Sequence, residues 1–102
     1  MPPAAPVSGT LTIAADHPAF AGHFPENPVL PGVVLLDLIL AAAGIAAIAG
    51  ITRLKFLRPV RPGETITYRL AWPAPDTAAI TARSGDEMVL RGTLRLGSPE
   101  AA

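Results

Sequence analysis

The sequence predicts an α+β domain in which an antiparallel β-sheet curls around one helix. Residues 33–49 form an apolar segment of helical length that holds a single ionisable residue, Asp37. The chain after it alternates between apolar and polar residues, as half-buried strands do. Proline and glycine separate these stretches and indicate turns. One helix followed by a run of strands is typical of the α+β class.

Composition limits both the architecture and the kinds of partner. The chain has 102 residues, half of them hydrophobic, which predicts one domain over residues 1–102 with flexible ends at 1–8 and 98–102. A formal net charge of zero gives no overall field toward nucleic acid or an anionic membrane. The absence of cysteine excludes disulfides, a thiolate nucleophile and a cysteine-type zinc site. The N-terminus lacks the pattern of a secretory signal, so we expect a cytoplasmic protein.

The first predicted strand covers residues 10–14, and a turn containing His17 and Pro18 follows it. We interpret His17 as a turn histidine rather than a ligand or base. The spacing of His17 and His23 matches no zinc motif, and no carboxylate cluster completes a metal site. The sequence therefore predicts no metal centre.

Residues 33–49 are too long and too uniformly apolar for an alternating strand and predict a helix. Pro31 and Gly32 precede it, and Gly50 is the predicted C-cap. A helix that is apolar on every side is expected to be buried on every side. A membrane span is the alternative, but Asp37 and the amphipathic strands that follow argue against it.

Four further strands are predicted after the helix, starting with residues 51–58. A turn at residues 62–63 leads to the second, a turn at 73–76 to the third, and a hairpin at 84–87 to the fourth. The predicted inward-facing residues are Ile66, Tyr68, Leu70, Trp72, Ala78, Ile80, Ala82, Met88, Leu90, Leu94 and Leu96.

Two side chains are candidates for chemistry. His23 lies in a loop stiffened by three prolines, which suits a residue that must be held in place against a substrate. A buried, hydrogen-bonded structural histidine is the alternative. Asp37 is an isolated acid in an apolar helix, where a carboxylate is costly unless it is hydrogen-bonded or protonated. It is either a catalytic group or a buried polar link.

The residues around these two candidates resemble a known signature. The string consists of His23-Phe24-Pro25, Pro28-Val29, Pro31-Gly32-Val33 and then Asp37. It is similar to that of the FabA/FabZ-type 3-hydroxyacyl-acyl-carrier-protein dehydratases of the hotdog fold, including the short ApeI-like branch of aryl polyene pathways. The resemblance covers roughly residues 10–97. Ala41 is a departure, because FabZ-type proteins usually carry glutamine there.

The resemblance implies a long central helix wrapped by the sheet, and two protomers whose sheets pair edge to edge. Active sites would lie at the dimer interface, with His23 as base from one chain and Asp37 as acid from the other. The amide of Gly32 would bind the thioester carbonyl, while Phe24 and Pro31 would shape the pocket. The implied reaction converts 3-hydroxyacyl thioesters on acyl carrier protein to trans-2-enoyl thioesters, in fatty-acid or aryl-polyene-type biosynthesis. The substrate would travel on phosphopantetheine, with no metal or organic cofactor.

The partners implied are an acidic carrier protein and a second hotdog chain, in a homodimer, a higher even oligomer or a pair with a different subunit. The basic residues predicted to meet the carrier are Arg53, Lys55, Arg58 and Arg61, although ordinary solvated strand faces carry such residues too. Three alternatives stay open. They are a hotdog thioesterase, a catalytically weak subunit that binds a carrier or partner, and a dehydratase that also isomerises its product.

Overall fold

The computed structural model describes residues 5–20, 29–45 and 47–96. Its elements are β1 (Val7–Thr12), a 3-10 turn (Pro18–Phe20), α1 (Gly32–Ala43), β2 (Gly50–Phe56), β3 (Thr65–Ala74), β4 (Thr77–Ser84) and β5 (Glu87–Arg95). The strands form one antiparallel sheet in the order β1-β3-β4-β5-β2. This arrangement confirms the predicted α+β class and leaves β1 and β2 at the two edges.

Strand alternation sends one set of side chains toward the helix and the other toward the outer face of the sheet. On β3 and β4 six of the residues predicted to face inward are buried: Ile66, Tyr68, Leu70, Ala78, Ile80 and Ala82. Trp72 of β3 was also predicted to face inward and is only half-buried. The helix contributes Leu35, Leu36, Ile39 and Leu40 to the same core. Burial of these side chains on one face of the sheet drives the packing of α1 against it.

The opposite face of α1 is open, contrary to the expectation that the helix is buried on every side. Val33 is 63% exposed, and Asp37 and Ala41, which lie one and two turns further on, are exposed too. The reason is geometric: a single sheet covers one side of a helix, and only another element could cover the other. Asp37 was predicted to be buried, and in this chain it is not.

The helix also ends earlier than predicted. Gly44, rather than Gly50, is the C-cap, with a left-handed φ of 80° that glycine adopts without strain. The amide of Gly44 donates to the carbonyl oxygen of Ala41 at 3.2 Å, and the amide of Ile45 donates to that of Leu40 at 2.9 Å. These two bonds satisfy the carbonyls of Leu40 and Ala41 in the last helical turn, and Gly50 opens β2 instead.

Several strands differ from the prediction in their limits or register. β2 ends at Phe56, two residues earlier than predicted. β1 begins at Val7, inside the segment predicted to be flexible, because Val7 and Ser8 pair with β3. In β5 the register shifts between the pairs at Ala82 and Arg83, so Val89 is an extra residue in the ladder. Val89 and Leu90 are consequently both buried, whereas strict alternation predicted Met88 in the core.

Candidate functional site

Two of the predicted site residues, His23 and Phe24, fall in residues 21–28, outside the described part of the chain. Their roles stay predictions. The structure does locate the predicted acid, the predicted thioester-binding glycine and the predicted basic residues.

Asp37 lies on the open face of α1. It lines an apolar groove of about 740 Å³ between α1 and the chain that leads from Gly44 into β2, which we name the acid groove. Its other lining residues include Leu40, Ala41, Ile45, Ile48 and Ile51, and among the described residues that line it Asp37 is the only ionisable one. The structure thus places a single carboxyl group at an apolar surface open to a second molecule.

Pro31 and Gly32 form the N-terminus of α1. The carbonyl oxygen of Pro31 accepts bonds from the amides of Val34 and Leu35 at 3.0 and 3.2 Å, and no side chain of the described residues caps the helix. The first amides of a helix have no acceptor within the helix and carry partial positive charge. The amide of Gly32 is therefore suited to an oxygen that gains negative charge, as in an oxyanion hole.

Phe56 of β2 packs against this N-terminus and was not assigned a role from the sequence. A Cβ atom on Gly32 would lie 2.6 Å from the Phe56 ring, so position 32 must be glycine while the ring stays there. The signal was present in the strand alternation, which puts Phe56 and Leu54 on the same side of β2. Phe56 and Gly32 line a second groove of about 450 Å³, the glycine groove, whose other residues include Pro31, Leu35, Arg58 and Val60.

The acid and the amide therefore occupy different grooves of one chain. Asp37 lines the acid groove and does not line the glycine groove, whereas Gly32 and Pro31 line the glycine groove. Both grooves lie beside β2, one of the two edge strands of the described sheet.

The four predicted basic residues divide into two groups. Arg53, Lys55 and Arg61 are exposed. Arg53 and Lys55 line a groove of about 660 Å³ on the outer face of the sheet, together with Arg91 of β5. Arg58 is half-buried instead, and its contacts are internal.

The guanidinium of Arg58 holds Glu64 through two nitrogens, with Nη2–Oε1 at 2.7 Å and Nη1–Oε2 at 3.1 Å. Nη1 also donates to the carbonyl oxygen of Pro59 at 2.7 Å. Nε lies 3.2 Å from Oε1 of Glu87 but makes no aligned hydrogen bond in the described structure. This two-point pairing is the strong geometry for an arginine and a carboxylate.

Glu64 receives further donors, from the amide of Arg61 at 2.6 Å and from Oγ of Ser84 at 2.8 Å. The hydrogen bond from Arg58 is the main reason that the pKa of Glu64 falls to about 2, against a smaller opposing effect of burial. The same pairing raises the pKa of Arg58. We name this network the Glu64 cluster. It consists of Glu64, its partners Arg58 and Ser84, and Glu87, which lies beside Arg58.

His17 lies in the turn after β1, as predicted. Its ring packs edge-on against Phe20, with centroids 6.4 Å apart and an interplanar angle of 85°. In the described part of the chain, no helix is both long enough and apolar enough to span a bilayer.

Comparison with known proteins adds to this geometry. The model of the ApeI-like family, described as ApeI dehydratase, matches residues 3–92. The chain belongs to the ApeI-like dehydratase family. The predicted relationship is therefore confirmed.

Curated relatives of this ApeI-like chain carry the name 3-hydroxyacyl-acyl-carrier-protein dehydratase FabZ. The protein of Rhodopseudomonas palustris (strain TIE-1) is 36% identical over 76 residues, which cover 61% of this chain and 50% of the relative. The protein of Clostridioides difficile (strain 630) is 30% identical over 102 residues, covering 84% of this chain and 72% of the relative. The chain spans about half the length of the first of these relatives.

Solved structures give the same fold. The dehydratase heterocomplex ApeI:P from Xenorhabdus doucetiae matches with a TM-score of 0.81 at 24% identity, covering 95% of this chain and 91% of that one. An uncharacterised protein from Erwinia carotovora subsp. atroseptica matches with a TM-score of 0.73 at 28% identity, covering 93% and 85%. The (R)-hydratase from A. caviae matches with a TM-score of 0.57 at 16% identity, covering 95% and 98%. The hotdog fold predicted from the sequence is confirmed.

Proposed function

We propose that this ApeI-like chain dehydrates 3-hydroxyacyl thioesters carried on acyl carrier protein to trans-2-enoyl thioesters, in fatty-acid or aryl-polyene-type biosynthesis. Membership of a dehydratase family and the names of the FabZ relatives support this reaction. The single observation that carries the proposed site is the position of Asp37, an acid on an open apolar groove, apart from the Gly32 amide.

In the proposed step, the imidazole of His23 removes the proton from C2 of the acyl group. The electrons of the C2–H bond form the C2–C3 double bond while the C3–O bond breaks. The carboxyl group of Asp37 gives its proton to the departing hydroxyl, which leaves as water. The Gly32 amide donates to the thioester oxygen, where enolate-like charge develops. Transfer of the C2 proton from the imidazole back to the carboxylate, through solvent, restores the starting state.

This chemistry needs His23, Gly32 and Asp37 around one thioester, and we propose that a second chain brings them together. The large hydrophobic side chains that are exposed among the described residues support the pairing, because all of them line the two grooves: Val33, Ile51, Phe56 and Leu57. Apolar surface of this kind is typical of an interface. A second hotdog chain paired at β2, a second copy or a different subunit, would cover Asp37. In a pair of identical chains it would lay Asp37 beside the partner's His23.

The remaining parts of the proposal concern delivery of the substrate. The acyl group arrives on the phosphopantetheine arm of the carrier protein in the cytoplasm, and the step uses no metal and no organic cofactor. Phe24 and Pro31 shape the acyl pocket. Arg53, Lys55 and Arg61 are exposed cations that an acidic carrier could contact. Arg58, whose guanidinium is engaged with Glu64, is the weakest of the four docking candidates.

Two substitutions test the proposed reaction. We expect His23→Ala and Asp37→Asn each to lower the dehydration rate by about a hundredfold or more, because each removes a proton-transfer group. The measurement is intact-protein mass spectrometry of 3-hydroxyacyl carrier proteins of graded chain length, in which the product has lost one water. Asp16→Asn, at an exposed acid in the turn after β1, is the matched control and is expected to keep the wild-type rate.

Wild-type rates in both variants would refute the assignment of His23 and Asp37. Release of a free thiol without loss of water would identify a thioesterase instead. A wild-type chain that is inactive alone and gains activity only with a second hotdog protein would identify the catalytically weak subunit.

A further inference from the structure

We propose that Arg58, held by Glu64, is a positioning residue that fixes the part of the glycine groove wall formed by the loop between β2 and β3, and through it the Gly32 amide. The inference rests on the proposed function only for its meaning in catalysis. The contacts of the Glu64 cluster alone indicate that the Arg58–Glu64 pair sets the surroundings of Gly32.

Arg58 faces inward, unlike its basic neighbours. The side chain of Arg58 is 21% exposed to solvent, and that of Glu64 is 22% exposed. Arg53 and Lys55, which lie in β2 just before Arg58 in the sequence, are exposed. A guanidinium that already donates to Glu64 and to the Pro59 carbonyl has little left to offer a docking protein.

The Arg58–Glu64 pair closes the loop between β2 and β3. Arg58 leaves β2 and Glu64 precedes β3, and the salt bridge joins the two ends of this loop. The amide of Arg61, at the middle of the loop, donates to the same carboxylate. Ser84 and Glu87 anchor the closed loop to the β4–β5 hairpin.

The same loop is bonded to the segment that leads into Gly32. Val60, inside the closed loop, accepts a hydrogen bond from the amide of Leu30 at 2.8 Å. Leu30 lies two residues before Gly32. The antiparallel Leu30–Val60 bridge joins the segment that enters α1 to the loop between β2 and β3. Arg58, Val60 and Gly32 all line the glycine groove. A change in the loop is therefore passed to the position of the Gly32 amide.

Arginine and lysine differ in how they hold a carboxylate. Arginine binds a carboxylate through two parallel N–H donors and fixes its orientation, whereas lysine offers one ammonium on a flexible stem. Arg58→Lys keeps the charge and removes the two-point geometry. Glu64→Gln keeps the shape of the side chain and removes its negative charge. Together they separate the geometry of the pair from its charge.

The test compares both variants with wild type on two substrates: a 3-hydroxyacyl group on carrier protein, and the same group on a carrier-free pantetheine thioester. We expect kcat to fall roughly tenfold or more on both substrates with little change in KM, because misplacement of a catalytic group lowers the rate. In glycine-labelled protein, NMR is expected to show a shifted Gly32 amide resonance in both variants. Arg83→Lys, an exposed arginine beside the same hairpin, is the matched control and is expected to leave kcat and the resonance unchanged.

The outcomes are distinct. A KM increase confined to the carrier-borne substrate would make Arg58 a docking residue and overturn the proposal. A lower melting temperature with unchanged kcat and an unchanged Gly32 resonance would overturn it as well, since the pair would then serve stability alone. If wild-type protein is inactive on both substrates, the proposed function fails. The Gly32 resonance then decides the positioning role by itself, and Glu64→Gln decides it if Arg58→Lys does not fold.

Discussion

Glu64 has a strongly lowered pKa because three donors converge on its carboxylate: Arg58, the amide of Arg61 and Ser84. A carboxyl group that is more acidic in the folded state than in the unfolded chain stabilises the fold above its unfolded pKa. The pKa of Glu64 falls from 4.5 to about 2 on folding, so this stability is present above about pH 4.5 and is lost as the pH falls toward 2.

Acid unfolding tests this. We expect wild type to be more stable than Glu64→Gln by about 1–2 kcal/mol near neutral pH, a figure that allows for solvent screening of a partly exposed pair. The difference should shrink steadily between about pH 4.5 and pH 2. Urea unfolding across this range measures it, with Asp86→Asn, at an exposed hairpin acid, as control. A stability difference that does not vary with pH would contradict the pKa of Glu64 described above.

At the residue scale, the sequence predicted candidate residues for the chemistry but not the surroundings of those that the structure describes. Asp37 was recognised because it is the one charge in an apolar helix, yet its exposure depends on which face the sheet covers. Arg58 was grouped with Arg53 and Lys55 by proximity in sequence. Its partners are Glu64 and, in the hairpin, Glu87. Arg58 and Glu87 are 29 residues apart, and a pairing over that distance leaves no local sequence pattern. The short spacing from Arg58 to Glu64 around a Pro-Gly turn was the available signal.

At the scale of elements, the strands were predictable because a period of two residues in polarity reports one buried face. The bulge at Val89 was not, because one extra residue changes the register without changing composition. The helix end was missed because residues 45–49 continue the apolar composition, so nothing but Gly44 marked the stop. Glycine is tolerated within helices as well as at their ends, and the φ of 80° decides between these two roles.

Substitution of Gly44 tests the helix end. We expect Gly44→Ala to destabilise the protein by about 1 kcal/mol, because a side chain disfavours the left-handed conformation. Gly44→Asn should cost less, since asparagine tolerates that conformation. Thermal or urea unfolding of both variants measures the effect. A stabilised Gly44→Ala protein would mean that the helix continues through this position, where alanine is the better helix former.

At the scale of the whole molecule, the fold divides the proposed site. The Gly32 amide and Asp37 lie in separate grooves beside the edge strand β2, and the exposed hydrophobic residues lie along the same edge. The apolar surface of one helix is thus shared between the chain's own sheet and, in our account, a second chain. Sequence patterning could not separate these two kinds of burial, because core and interface use the same residues.

The most direct measurement of this account mixes two inactive proteins, His23→Ala and Asp37→Asn, and assays dehydration after the chains have exchanged. If each site takes its base from one chain and its acid from the other, half of the exchanged pairs contain one intact site. Activity should then recover to about a quarter of the wild-type value under statistical exchange across a two-fold interface. No recovery, with exchange verified by native mass spectrometry, would place both groups in one chain and contradict the shared site.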